Sequence, residues 1–416
     1  MSHPLLDLPA ARQRGDHLGI ASVCSAHPLV IEAALRLGRD GAGPVLIEAT
    51  CNQVNQEGGY TGMKPADFRA FVEAIADRVG FDRSRLILGG DHLGPNPWTD
   101  LPADQAMDKA AAMIAAYAEA GFTKLHLDCS MGCAGEPVAL DDAATATRAA
   151  HLAEVAEAHG RADTPPVYVI GTEVPVPGGA VEALDHLQIT TPEAVRRTHA
   201  VHEDAFAERG LGPAFERVVA LVVQPGVEFG HDDVVHFDPA RAAALSAVLD
   251  DLPGLVFEAH STDYQHPQNL RALVGGGFSI LKVGPWLTFA LREALYGLDA
   301  IADVLDGHPP RGGLMAAMEA EMQAAPGNWR KYYTGDATDL WLQRHFSYSD
   351  RIRYYWPAEG ARGAVAALFA RLGDKDIPDP LRRQFLPGLD GVTRAADMPV
   401  AAVQQVLRLY ARAAAP

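Results

Sequence analysis

Apolar positions along the chain fall into two alternating patterns. Short runs rich in β-branched residues are separated by longer, alanine-rich stretches with helical spacing. The short runs predict strands at His17–Cys24, Pro44–Ala49, Arg85–Gly89, Lys124–Cys129, Val167–Thr172, Val218–Val223, Gly254–Ala259 and Ser279–Val283. The longer stretches predict helices near Leu29–Leu37, Pro65–Val79, Asp104–Ala120, Asp141–His159, Pro192–Arg209, Pro239–Leu249, Pro267–Val274 and Trp286–Ile301. A strand–helix pair recurs about every 35 to 45 residues, the spacing of βαβ units in a parallel sheet. The strands lack strict alternation, as expected where both faces are buried. Eight such units predict an α/β protein of the (β/α)8 barrel type, with an open doubly wound sheet as the alternative.

The pattern changes after Asp306. Gly313–Ala324, Leu340–His345, Gly363–Leu372 and Ala401–Ala415 look helical, and no further strand-like run follows. This predicts a barrel over residues 1–306 and a helical C-terminal region over 307–416, packed on the barrel. Trp329, Tyr332, Tyr333, Trp341, Tyr348, Tyr354, Tyr355 and Trp356 concentrate aromatic rings there. They are expected either to seat this region on the barrel or to form an interface.

Composition narrows the class. The 416 residues are 48% hydrophobic and 21% charged, an ordinary balance for a soluble globular chain. The net charge of −18 repels nucleic acid and anionic lipid surfaces. Cys24, Cys51, Cys129 and Cys133 are too few for a disulfide framework and are expected as reduced thiols. The N-terminal MSHPLLDLPAARQRGDH has no basic stretch followed by an apolar one, and no apolar run is long enough to span a membrane. A cytoplasmic protein is expected. No G-x-x-x-x-G-K-[ST] loop is present, which argues against a P-loop kinase.

In a (β/α)8 barrel the loops after the strands converge on one mouth, so the residues ending each strand carry the chemistry. Here those ends are Cys24-Ser25; Glu48 followed by Asn52; Asp91-His92; His126, Asp128 and Ser130; Glu173; Gln224 and Glu228; Glu258 and His260; and Lys282. His92, Glu173 and His260 come from different strands and would meet above the barrel. Two imidazoles and a carboxylate make a usual divalent-metal set, with Glu228 or Gln224 as a further ligand. Asp91 and His92 are adjacent, so in an extended strand their side chains point to opposite faces. Asp91 is therefore expected as an acid/base beside the metal, with Glu173 as a second catalytic candidate. Glu48, Asn52, Asp128, Ser130, Gln224, Asp263 and Lys282 are the candidate substrate-binding residues.

Several blocks carry a family resemblance: IEATCNQVNQEGGYTGM (Ile47–Met63), GGDHLGPNPW (Gly89–Trp98), HLDCSMG (His126–Gly132), GTEVPVPGG (Gly171–Gly179), VQPGVEFG (Val223–Gly230) and FEAHSTDYQ (Phe257–Gln265). Together they resemble the so-called non-catalytic Z subunit of D-tagatose-1,6-bisphosphate aldolase, over nearly the whole chain. The resemblance implies a class II aldolase-like barrel. More distantly, Asp91-His92 is similar to the Asp-His pair of catalytic class II aldolases, in which the Asp is the acid/base and the His a zinc ligand. Thr172-Glu173 and His260 match their glutamate motif and a later zinc-binding His. The resemblance therefore implies a divalent metal, zinc first, with manganese, cobalt or nickel as alternatives. Two positions depart from that pattern. Glu228 stands where a second zinc His is expected. Ser261-Thr262-Asp263 and Val283-Gly284-Pro285 replace the phosphate-gripping motifs, which argues against tight binding of a sugar bisphosphate.

The expected function is retro-aldol and aldol chemistry at C3–C4 of a ketose or ketose phosphate, as a ketose 4-epimerase or an aldolase. The alternative is a catalytically silent accessory subunit that stabilises a separate catalytic aldolase chain, with a tagatose-6-phosphate kinase third. An oligomer is expected.

Overall fold

The computed structural model describes residues 3–171 and 187–415. Eight parallel strands close into a barrel: β1 (Ile20–Cys24), β2 (Val45–Thr50), β3 (Leu86–Leu93), β4 (Lys124–Leu127), β5 (Val167–Ile170), β6 (Val218–Val223), β7 (Val256–Ala259) and β8 (Phe278–Val283). Each strand pairs with its neighbours in the chain, and β1 closes the ring against β8 with Ile20 opposite Ile280. All eight predicted strands are present, most with ends shifted by a few residues. β3 runs further than expected, through Gly89-Gly90-Asp91-His92. A side chain at Gly89 would place its Cβ 2.7 Å from Cγ of Glu48. The bare backbone there makes room for a neighbouring strand's side chain and is not a turn.

Alternate residues of each strand face the barrel axis. At the N-terminal end these inward residues are apolar: Ile20, Leu46, Ile87, Val167, Val169, Val222, Val256 and Ile280 form one cluster. Leu5 and Leu8 join it, 1% and 3% exposed, from two short helical segments, Pro4–Leu6 and Asp7–Gln13. This N-terminal plug is too short to stand out in the sequence pattern. Two residues further along the strands the inward positions become charged, with Glu48, Lys124, Glu258 and Lys282 all buried.

The C-terminal region shares the larger apolar cluster with the barrel's helices, contributing Trp329, Tyr333, Tyr355, Trp356 and Tyr410. Trp341 is 37% exposed. The last helix, Met398–Ala414, packs against helices Pro28–Arg39, Pro267–Gly275 and Pro285–Leu305. Its Tyr410 hydroxyl donates to the Thr262 carbonyl at 2.7 Å, bracing the loop that leaves β7. None of the described helices is long and apolar enough to cross a membrane. The four cysteines are unpaired; Cys51, Cys129 and Cys133 are buried.

Candidate metal and substrate site

At the C-terminal ends of the strands, Asp91, His92, His126 and His260 each offer a ligand atom, and these atoms lie within 4.8 Å of one another. All four residues are buried. His126 belongs to this group although the sequence reading gave it no role. Its signal was the strand period of two: His126 and Asp128 share a face of β4 and the loop after it, as Glu258 and His260 do after β7.

Each imidazole has one nitrogen held by an acceptor. His92 Nδ1 bonds Asp128 Oδ2 at 2.8 Å, His126 Nε2 bonds the Gly171 carbonyl at 3.0 Å, and His260 Nε2 bonds Glu258 Oε1 at 3.0 Å. A proton on each of those nitrogens leaves the lone pair on the other for His92 (Nε2) and His260 (Nδ1), whereas Nδ1 of His126 faces Asp91 Oδ1 at 3.0 Å and the His92 amide at 3.3 Å. This is the arrangement that orients histidines toward a metal. Ser130 Oγ in turn donates to Asp128 at 2.9 Å. Asp128 is held below the usual carboxylate range; burial alone would raise it, but the hydrogen bond and charge of His92 outweigh burial. Burial first, then the Lys282 charge, lowers His260 to about 3, so its ring is neutral. Three imidazoles and a carboxylate offer ligand atoms for a divalent ion such as zinc, although burial, which would lower His126, is outweighed by Asp91, which raises it.

The expectation that Asp91 and His92 point apart is not met. His92 has a φ of 50°, a left-handed backbone uncommon for a residue with a side chain. The pairing of β3 with β4 shifts register between Gly90 and Leu93. This local break in the pleat brings both side chains to the same side, with His92 Nε2 and Asp91 Oδ2 at 3.6 Å.

Below the group lies a buried ionic layer. Lys124 Nζ sits 2.6 Å from both Glu48 Oε1 and Glu258 Oε2, all fully enclosed. Lys282 pairs with Asp91 and reaches Glu48 Oε2 at 3.2 Å. Burial would lower both lysines, but the surrounding carboxylates, Glu258 and Glu48 for Lys124 and Asp91 first for Lys282, raise them instead. Asp91 lies well below its ordinary range: burial opposes this, and His92, Lys282 and His126 overcome it.

A cavity of about 630 Å³ opens onto the group, lined by Asp91, His92, His260 and Lys282. Of the expected substrate-binding residues, Asn52, Asp263 and Lys282 line it. Glu48, Asp128, Ser130 and Gln224 do not. Glu48 is locked between the lysines, and Asp128 and Ser130 stand behind His92. Gln224 Oε1 accepts the Gly226 and Val227 amides at 2.8 and 2.9 Å, shaping the turn after β6. Glu228 stands outside the ligand group. That turn carries it into a two-stranded ribbon, Glu228–Phe229 against Val234–Val235, where its carboxylate accepts the Phe229 amide at 3.0 Å. Burial pushes its carboxyl up to about 7. Glu173, called both catalytic and a ligand, lies outside the described residues. The cavity also takes Lys331, Tyr332, Arg351, Arg353 and Tyr354 from the C-terminal region, none of which the sequence reading singled out for the site.

A family described as D-tagatose-1,6-bisphosphate aldolase subunit GatZ/KbaZ-like matches residues 5–415. A protein of Agrobacterium fabrum named D-tagatose 6-phosphate 4-epimerase is 56% identical, covering 99% of this chain and 98% of its own length. A crystal structure from Sinorhizobium meliloti, described as a "probable tagatose 6 phosphate kinase", superposes with a TM-score of 0.89 at 58% identity, over 95% of this chain and all of that one. A fructuronate-tagaturonate epimerase from Cohnella laeviribosi, with a TM-score of 0.52 and 12% identity over 95% of this chain and 81% of its own, shares the fold. The chain belongs to the GatZ/KbaZ-like family of D-tagatose-1,6-bisphosphate aldolase subunits.

Proposed function

We propose that this protein is a metal-dependent ketose 6-phosphate 4-epimerase, interconverting the D-tagatose and D-fructose forms. The observation that carries this reading is the convergence of Asp91, His92, His126 and His260, each imidazole fixed by an acceptor, at one end of a cavity large enough for a hexose phosphate. The name of the 56% identical relative supports the substrate class.

Inverting C4 of a ketose is a problem of bond activation. The C4 hydrogen is β to the carbonyl and is not acidified by it, whereas the C3–C4 bond can break toward the carbonyl. His92, His126 and His260 would hold the divalent ion, with Asp91 beside it. When bound, the ion supplies Lewis-acid polarisation of the ketose carbonyl. Asp91, fixed by Lys282 and His126, faces the same cavity and takes the proton of the C4 hydroxyl; Glu173 is the other candidate for this step. The C4–O electrons form the aldehyde, and the C3–C4 electrons pass to the C1–C3 fragment as its enediolate. Rotation of the aldehyde presents its other face, the enediolate carbon attacks, and the proton returns to the C4 oxygen. Atoms and charge balance without a co-reactant. The Lys124–Glu48–Glu258–Lys282 layer keeps the floor of the cavity rigid and free of mobile charge.

The test is incubation of the metal-replete protein with D-tagatose 6-phosphate, followed by NMR. Appearance of D-fructose 6-phosphate, abolished by a chelator and restored by metal, is expected. Metal-replete protein that leaves the sugar unchanged would overturn the assignment. The family description also fits an accessory role beside a catalytic aldolase chain. That reading expects no turnover by this chain alone and stimulation of a separate aldolase by the His260→Ala variant.

A further inference from the structure

A barrel of this kind ordinarily grips a substrate phosphate with backbone N–H groups at the start of a helix near the last strands. Here that position is taken. Asp263 Oδ1 accepts the Gly284 amide at 3.0 Å and the Trp286 amide at 2.8 Å, and Pro285 between them has no N–H. A phosphate placed there would meet a carboxylate.

The same cavity carries three cationic side chains from one C-terminal segment: Lys331, Arg351 and Arg353. Most buried or half-buried arginines in the chain pair with a carboxylate, as Arg292 does with Asp350 and Arg344 with Glu319. Arg353 does not. Among the described residues no carboxylate oxygen pairs with it within 4.0 Å, and the charges of Asp350 and Asp263 reach it only from further away. Its guanidinium donates to the Ser349 and Asp350 carbonyls and to the Tyr354 hydroxyl at 3.0 Å. Arg351 stacks 3.3 Å from the Tyr332 ring centre, and the exposed Lys331 lies 5.0 Å from the same ring. Burial would push the Tyr354 phenol up, yet the Arg353 and Arg351 charges outweigh it and hold the group lowered. This wall of the cavity stabilises a negative oxygen. It does so in a chain of net charge −18, whose overall field opposes a dianion.

We propose that Arg353, with Lys331 and Arg351 beside it, forms the binding site for the phosphate monoester of the substrate. The inference rests on the ketose phosphate reading above and deepens it. Strand ends supply the reacting groups, and the C-terminal segment selects phosphorylated over free sugars.

Two measurements on the full-length, metal-replete protein test it. Calorimetric titration with inorganic phosphate should show binding that Arg353→Gln weakens by about 10- to 100-fold, the loss of a charge-assisted pair. Lys331→Ala, an exposed change that leaves the fold intact, should weaken it less. Arg353→Lys, which keeps the charge but not the two-pronged donor, should fall between. In kinetics, Arg353→Gln should lower the preference for D-tagatose 6-phosphate over D-tagatose by a similar factor, chiefly through KM. The surface variant Arg383→Gln should change neither readout. Phosphate binding that is absent from the wild type, or equal in all variants, overturns the site even if epimerisation is intact. Arg353-dependent phosphate binding without any epimerisation upholds the site and overturns the function instead.

Discussion

The two halves of the barrel interior are built from the same eight strands and do opposite things. Toward the strands' N-terminal ends, Ile20, Leu46, Ile87, Val167, Val256 and Ile280 close around Leu5 and Leu8 in one apolar cluster. Two to four residues further along, the inward positions hold Glu48, Lys124, Glu258, Lys282, Asp91, His126 and His260. The change takes place within one layer, where Lys124 and Lys282 neutralise Glu48 and Glu258. One end of the barrel thus contributes stability, and the other holds desolvated polar groups in which Glu48, Glu258 and Asp91 share Lys124 and Lys282.

That contrast can be broken at either end. His260→Ala in the upper half should abolish metal retention, read by elemental analysis, and lower epimerase activity by about 10³-fold or more with little effect on folding. At the boundary, Lys124→Met leaves buried Glu48 and Glu258 to share Lys282, which is already paired with Asp91. It should cost about 3–5 kcal/mol in a urea melt. In the lower half, Leu8→Ala should cost about 2–4 kcal/mol and leave metal content unchanged. A loss of metal in Leu8→Ala would show that the two halves are not separable.

Smaller changes sharpen the picture. Asp128→Asn keeps its shape but loses the charge that fixes the His92 proton on Nδ1, and metal affinity should fall about 10- to 100-fold. Glu228 gives a pH-dependent case. Its carboxyl rises from an ordinary 4.5 to about 7 because burial disfavours the charge. Ionising it therefore costs the folded state nothing below about pH 4.5, progressively more up to pH 7, and the full amount above. Glu228→Gln should raise stability at pH 8 by on the order of 2 kcal/mol and make no difference at pH 4, read by thermal melts.

The barrel was legible because closed parallel strands impose a repeating apolar run, and β6 falls where the pattern puts it, at Val218–Val223. His92 and His260 were legible because strand ends converge on one mouth. His126 was overlooked because a histidine inside an apolar strand reads as an ordinary core residue; only its pairing with Asp128 two positions on marks it as directed toward the cavity. The joint presence of Asp91 and His92 in one group depends on a single left-handed residue, which no hydrophobic pattern encodes. Arg353 was illegible for a different reason. It reaches the cavity through the tertiary seating of a C-terminal segment, anchored in part by the Tyr264 hydroxyl donating to the Tyr348 carbonyl at 2.7 Å. Glu228 misled because its position in a motif suggested a ligand, whereas the turn held by Gln224 directs it into the ribbon.

Anomalous diffraction from crystals of the protein, recorded at the absorption edge of the metal it retains, tests the central claim most directly. A single strong peak among His92 Nε2, His126 Nδ1, His260 Nδ1 and the Asp91 carboxylate is the predicted result. A peak centred elsewhere, or none in protein that epimerises D-tagatose 6-phosphate, would contradict it.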